Sequence, residues 1–436
     1  MHVIQQIAFL VTLAIAGYLI RKRALRILSN IRLGKALNIK DRMDERWRNV
    51  VLVALGQKKM FKRPVPALLH FLIYAGFLII NLEVLEFIID GLLGTHRIFA
   101  PWLGSLYTIL INGFEFLAAG VLLACVVFLI RRNLLRVPRF WSAEMTSWPR
   151  LDANLILTIE IVLMMAVFTM NASDQLLQGH IDHYTPTGRL ILSSHLMPVF
   201  SGWTPESLVV VERFAWWFHI TGILGFAVYI TWSKHLHIIL AFFNTWYARL
   251  EPKGHIHNMP AVTNEVKSML GLSGAQPASG EPGRFGAKDI NDLSWNQLLA
   301  AYSCTECGRC TSECPANLTG KKLSPRKVMM DIRDRMETVG VSLENGGPGL
   351  NDGKFLLGDY ITKEEINACT SCNACVEACP VMINPLDIII ELRRYVAMEE
   401  SGSPASWNSM FQNIETNFAP WKFPAADRFN WAKEDK

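Results

Sequence analysis

Residues 304–315 read CTECGRCTSECP and residues 369–380 read CTSCNACVEACP. Both follow one spacing, C-x2-C-x2-C-x3-C-P, the run that holds cubane iron–sulfur clusters. Eight of the nine cysteines fall in these runs. A [4Fe–4S] cube needs four thiolates, and three cysteines at i, i+3 and i+6 let one tight loop wrap three of its corners. The fourth cysteine is carried away by its proline and ligates the other cube. Cluster I is therefore expected on Cys304, Cys307, Cys310 and Cys379, and cluster II on Cys369, Cys372, Cys375 and Cys314. Zinc sites use paired C-x2-C knuckles rather than four-cysteine runs closed by proline. Disulfide frameworks belong to small secreted domains. The ninth cysteine, Cys125, sits in an apolar run and reads as a small buried hydrophobe.

The stretch between the runs is too long for a compact two-cluster repeat and carries helix signals. Ser324 and Pro325 make an N-cap and first-turn pair, followed by Val328, Ile332, Met336 and Val339 at helical spacing. Asn384 and Pro385 repeat the device ahead of Leu386, Ile389, Ile390, Arg393 and Val396. An α-helical ferredoxin module is expected over 291–400.

The rest of the chain is of another kind. It has 436 residues, 51% hydrophobic and 19% charged, with most of the long apolar runs in residues 1–250. A membrane-crossing helix needs about 20 apolar residues, and five stretches qualify: 3–20, 66–90, 103–130, 152–172 and 209–233. The last continues as an amphipathic pattern to Arg249. The fold class expected is all-α: a five-helix transmembrane bundle and then the two-cluster module. Residues 251–290, rich in Gly, Ser, Pro and Ala from Gly271 to Lys288, read as a flexible linker. The tail, 401–436, carries Trp407, Phe411, Phe418, Trp421, Phe423, Phe429 and Trp431 and is expected to lie on a partner or on the module's own surface.

Lysine and arginine set the orientation. Arg21, Lys22, Arg23, Arg26, Arg32, Lys35, Lys58, Lys59, Lys62 and Arg63 follow the first run; Arg131, Arg132, Arg136, Arg139 and Arg150 lie between the third and fourth. The other loops offer Arg97 and Arg189. This places the N-terminus outside and both clusters in the cytoplasm, in a multi-pass protein of the inner membrane. Trp102 and Trp203 suit the outer interfacial belt; Trp141, Trp148, Trp246 and Tyr247 suit the inner one. The net charge of +5 is this bias rather than a nucleic-acid signal; no basic–aromatic interleaving is present.

Intramembrane histidines are rare and functional by default. His70 stands near the inner end of the second run. His219 and His237 are eighteen residues apart, five turns of a continuous helix or about 27 Å, so they share a face at opposite depths. His70 and His237 at one level can hold a haem b iron axially, with His235 as the alternative ligand; an interfacial histidine is the plain reading. His219 would need His180, His183 or His195 for a second haem, and is otherwise hydrogen-bonded in the bundle. Glu83, Glu86, Glu115 and Glu160 also lie in the apolar spans. For Glu115 and Glu160, proton delivery to a quinone and a helix–helix hydrogen bond stand as equal alternatives.

The five-helix layout with His70 and the His219/His237 pair resembles the cytochrome b subunit of respiratory nitrate reductase and the membrane subunit of heterodisulfide reductase. The two cysteine runs, with residues 318–321 (LTGK) and 324–327 (SPRK), are similar to the ferredoxin half of the heterodisulfide reductase catalytic subunit. Two departures matter. The nitrate-reductase pattern implies a second histidine ten residues after His70, where Ile80 stands. The cysteine-rich repeats that build the catalytic cluster in heterodisulfide reductase have no counterpart here, which implies a separate partner subunit.

The resemblance implies a subunit that passes electrons between the quinone pool and a cytoplasmic partner bearing cysteine-rich repeats or flavin, through haem b and two [4Fe–4S] clusters. The quinone pocket is expected near the inner haem. A haem-free membrane anchor for a ferredoxin module and a redox or iron sensor are the alternatives. No Gly-rich phosphate motif, dinucleotide fingerprint or nucleophile–base constellation is present.

Overall fold

The computed structural model describes residues 2–272 and 284–433. Among these no strand forms; two isolated bridges, Lys35 with Ser294 and Leu357 with Ile361, are the only strand-like pairings. The architecture is all-α. Five helices are long and apolar enough to cross a membrane: α1 (His2–Ile31), α2 (Pro64–Leu93), α3 (Ser105–Leu129), α4 (Ser147–Leu177) and α5 (Pro205–Tyr229). α4 packs along α5, α3 bridges α2 and α4, and α1 lies against α2 and α5. Their outer faces keep Leu10, Leu82, Ile109 and Phe214 exposed, as a lipid-facing surface requires.

Helix boundaries follow local chemistry. Pro64 and Pro205 open α2 and α5, and the Thr204 hydroxyl accepts from the Ser207 N–H, satisfying an otherwise unpaired donor. At the end of the bundle where α2 and α4 finish, the buried Arg97 guanidinium ties the segments together. It donates to Asp174 at 2.7 Å, Asn171 at 2.7 Å and the Tyr107 hydroxyl at 3.3 Å.

The continuous helix expected from 209 to Arg249 does not form. α5 ends at Tyr229, Ser233 takes an extended backbone (φ −98°, ψ 155°), and a new helix, α6 (His237–Trp246), starts after a short turn. The physical cause is at hand: Lys234, inside the break, turns inward to reach acceptors on other segments. The five-turn argument relating His219 to His237 therefore does not apply.

The second unit is built on α7 (Trp295–Tyr302), α8 (Pro325–Glu344) and α9 (Pro385–Met398). Ser324 and Asn384 cap α8 and α9 by accepting from the Lys327 and Asp387 N–H groups. Leu298, Met329, Ile332, Met336, Ile389 and Leu392 form its core, and Ile27 and Ile31 of α1 join the same cluster.

This unit sits directly on the bundle. α1 runs past its apolar stretch to Ile31, and its basic residues there grip α8: Arg23 forks onto Glu337 at 2.7 and 2.8 Å, and Arg26 pairs with Glu344. Arg63 meets Glu313 at 2.7 Å and Lys62 meets Glu377. From the other side, buried Arg326 reaches the Arg139 carbonyl, Ser142 and Glu144. Several charges that read as topology signals are also docking contacts.

Two expectations need qualification. Part of the expected linker is structured: Pro260–Met269 is helical, and Ala287, Asp289 and Ile290 are buried because Arg335 of α8 forks onto Asp289. Residues 273–283 of that linker lie outside the described residues. The aromatic tail, expected on a partner or on the module's own surface, is not buried against the module. Ala405–Asn417 is a helix with no buried residue, and Trp407, Phe411, Phe418 and Trp421 are exposed.

Candidate functional site

The two cysteine loops share one backbone design. The second residue after the first cysteine, Glu306 or Ser371, has positive φ (51° and 55°), as does the fourth, Gly308 or Asn373 (70° and 61°). Two left-handed residues curl each loop around its thiols. A single turn then carries the fourth cysteine away.

Cys304, Cys307, Cys310 and Cys379 line one small cavity, and Cys314, Cys369, Cys372 and Cys375 line another. Each set takes three thiols from one run and the last thiol of the other. Among the described residues no three His, Cys, Asp or Glu side chains converge as a single-ion site requires; the thiols surround space instead. Main-chain amides reach sulfur, Ser371 N–H to Cys369 Sγ at 3.4 Å and Ile383 N–H to Cys379 Sγ at 3.3 Å. Such bonds stabilise negative charge on a cluster and raise its potential. Burial and the neighbouring cysteines push the Cys304 and Cys375 thiols up to about 12, and the Cys379 thiol up to about 11. Glu306 is the one acid within the first loop. Burial works against its charge, but Arg333 and Lys234 outweigh burial and hold the carboxyl below its usual range.

A third cavity, of about 350 Å³, lies between α2, α4, α5 and α6. His70, His219, His235 and His237 line it, and its lower end is closed by Thr305, Cys307, Arg309 and Pro380 of the cysteine module. Its wall on α2 runs from Pro66 to Val84, about 27 Å of helix. Ring centroids of His70 and His237 are 6.4 Å apart. Two imidazoles bonded to one metal atom from opposite sides, at about 2.0–2.1 Å each, stand at about this separation. Both are oriented through Nδ1, His70 by Gln57 Oε1 at 3.0 Å and His237 by the Lys234 carbonyl at 3.0 Å. This leaves Nε2 of each for a ligand, the usual arrangement around a metal-bound histidine. His235 packs edge-on against His237, centroids 5.4 Å apart, and tilted against Phe226.

His219 lines the far end. Its Nδ1 is bonded to the Leu163 carbonyl at 3.0 Å, and its ring meets Phe87 edge-on. None of His180, His183 and His195 lines this cavity; His183 is beside His96 and Tyr184 in a separate one at the opposite end of the bundle. Ile80 occupies the facing wall. The acids divide. Glu115 anchors a loop, accepting from Leu192 N–H, Ser193 and Asn171, and Glu86 accepts from Tyr107 and Phe99 N–H. Glu160 faces the cavity.

Sequence reasoning missed Gln57 and Lys234. Gln57 carries no signal in its string. Lys234 does: it is a charge placed at the end of an apolar run, immediately ahead of two histidines.

Residues 303–383 match the family described as a 4Fe-4S dicluster domain. Over 98% of its length the chain is 28% identical to a probable iron–sulfur-binding oxidoreductase, FadF, of Bacillus subtilis, covering 60% of that protein. Over 54% of its length it is 28% identical to an EtfAB:quinone oxidoreductase of Syntrophomonas wolfei, covering 33% of it. Over 34% of its length it is 28% identical to a subunit of the dihydromethanophenazine:CoB–CoM heterodisulfide reductase of Methanosarcina mazei, covering 36% of that subunit. The chain thus spans about 60% of the first relative and about a third of the others. No solved structure matches it. All three relatives are redox proteins by name, and the dicluster match coincides with the two thiol-lined cavities: the chain carries a 4Fe-4S dicluster domain set against five helices long and apolar enough to cross a membrane, and it is similar to iron–sulfur oxidoreductases and to heterodisulfide reductase subunits.

Proposed function

We propose that this chain relays single electrons between the quinone pool and a separate redox subunit, through one haem b and two [4Fe–4S] clusters. The observation that carries the reading is a shared cavity: the His70/His237 pair and Cys307, a wall of the first thiol cavity, line the same space. Haem b would be held by His70 and His237. Cluster I takes Cys304, Cys307, Cys310 and Cys379; cluster II takes Cys369, Cys372, Cys375 and Cys314. When bound, these groups supply one-electron transfer. The chain's own part is to hold them close and tune them. Gln57 and the Lys234 carbonyl aim the imidazoles, loop amides stabilise charge on sulfur, and the apolar faces of α2, α4 and α5 exclude water.

The far end of the cavity suits a quinone ring. Phe77, Ile80, Val84, Leu163 and Ile223 line it, with His219, Glu160 and Asn81 as its polar groups. On this reading His219 keeps Nε2 for a quinone carbonyl and Glu160, which lines the same cavity, exchanges the proton. With Ile80 facing it and the other lining histidines at the opposite end of the cavity, His219 is assigned to quinone rather than to a second haem. The quinone named in one relative agrees with this. The basic loops put the cysteine module on the cytoplasmic side of the inner membrane, and the N-terminus outside. The partner is a cytoplasmic subunit that carries flavin or further cysteine-bound clusters.

The test is an anaerobic preparation assayed for iron, for Soret absorption and for pyridine haemochrome, then reduced with a quinol. The expected result is about eight irons, a b-type haem band, and EPR signals from both clusters on quinol addition. Both clusters without a haem band would leave only a ferredoxin anchored by five helices.

A further inference from the structure

Lys234 lies in the short turn between α5 and α6 and is buried. Its Nζ donates to Glu306 Oε2 at 2.5 Å and to the Pro149 carbonyl at 2.6 Å, and its N–H donates to Asp152 Oδ2 at 3.2 Å. Its own carbonyl accepts from His237 Nδ1 at 3.0 Å. Glu306 lies between Cys304 and Cys307 in the left-handed backbone that curls the loop. One residue therefore holds the cysteine loop with its side chain and the imidazole with its main chain.

Charge balance alone does not call for this residue. Arg333 of α8, in the same module as Glu306, already pairs with its other oxygen at 2.7 Å. A buried ammonium is costly unless its donors are used, and Lys234 uses them on segments from both units. Its extra contribution is mechanical: it ties the segment that presents His237 to the loop that presents Cys304 and Cys307.

We propose that Lys234 is a positioning residue that couples the His237 imidazole to the first cysteine loop, so that one residue sets both the orientation of the haem ligand and the electrostatics of cluster I. This rests on the haem and cluster reading above.

The experiment uses the full chain in lipid nanodiscs. Wild type, Lys234→Met and Glu306→Gln are titrated anaerobically, with haem followed by absorbance and low-spin EPR, and the clusters by EPR. Losing the cation at Lys234→Met disfavours the reduced, more negative cluster and lowers the cluster I midpoint. Losing the anion at Glu306→Gln, which is nearly isosteric, raises it. Lys234→Met removes the tie and Glu306→Gln weakens it to a hydrogen bond with a neutral acceptor, so both shift or broaden the haem low-spin signal in the same sense, because that signal follows the angle between the imidazole planes. Opposite cluster shifts with a common haem change support the coupling; a general loss of packing would not produce opposite signs. An unchanged haem signal in a Glu306→Gln protein that retains both clusters overturns it. Wild-type protein lacking haem overturns the parent reading itself, and is recognised before any variant is made.

Discussion

His70 and His237 come from separate segments of the chain and meet across one cavity, with ring centroids 6.4 Å apart and planes tilted by 38°. Neither ring is held by the other. Each is fixed through Nδ1 by a neighbour, the Gln57 side chain for one and the Lys234 carbonyl for the other. That leaves the two Nε2 atoms as the polar atoms available to a common ligand.

Substitution of either histidine tests that ligand directly. His70→Ala and His237→Ala should each abolish the low-spin haem signal and lose the haem on purification, while His219→Ala keeps haem but slows quinol-driven reduction. Gln57→Leu removes only the orienting bond and should weaken haem retention by about 10–100-fold, as for other hydrogen-bond partners of metal ligands. Pyridine haemochrome per protein reads all four. Haem at wild-type level in His70→Ala would refute the pairing.

The cysteine sharing makes a sharper prediction. Cys379→Ser should extinguish the same cluster as Cys304→Ser, although the two residues lie in different runs, and Cys314→Ser should extinguish the cluster lost in Cys369→Ser. EPR with iron analysis distinguishes this from ligation within each run, which would pair Cys314 with Cys304 instead. Each single variant should keep about half the iron, since each cube draws on its own four thiols.

Buried thiols also make cluster binding depend on pH. In the cluster-free chain burial and the neighbouring cysteines of each cavity push the Cys304 and Cys375 thiols up to about 12 and the Cys379 thiol up to about 11. Iron needs the thiolate, so loading releases protons and tightens as pH rises. Folding of the apo form has the opposite dependence. The folded state holds protons that the unfolded chain gives up near its ordinary thiol pKa of about 8.5, so apo stability is full below that value and falls as pH climbs toward 11 and 12. Denaturant midpoints of the apo and loaded forms, compared from pH 7 to 10, should diverge. Parallel curves would mean that the thiols are not buried together.

Much of this was legible in the sequence, because the signals were local. C-x2-C-x2-C-x3-C-P fixes a loop, Ser324–Pro325 and Asn384–Pro385 fix two helix starts, and hydropathy fixes five spans. The unread parts are long-range. The helix break at Ser233 arises because Lys234 finds Glu306 some seventy positions later, and no periodicity announces such a partner. Arg23 and Arg26 read as membrane-side charges, yet they also pair with Glu337 and Glu344. Glu115 and Glu160 looked alike as buried acids; only the loop that folds over Glu115 separates them.

Docking of the cysteine module depends on a glycine. Gly340 of α8 faces Asn30 of α1 so closely that a Cβ there would run into the Asn30 amide. That amide donates to the Tyr302 hydroxyl at 2.8 Å, which donates to Glu337 at 2.6 Å, the carboxylate that Arg23 grips. Gly340→Ala should push Asn30 aside, open this relay and destabilise the docked state by about 1–3 kcal/mol, the usual cost of overpacking. Hydrogen exchange at α7 and α8 in nanodiscs should rise, while EPR of both clusters persists, because no cysteine is displaced. Adding Asn30→Ala removes the crowding atoms, so the double variant should regain protection relative to Gly340→Ala despite losing a hydrogen bond. If Gly340→Ala exchanges like the wild type, α1 and α8 are not packed as described, and the cavity shared by His70 and Cys307 loses its floor.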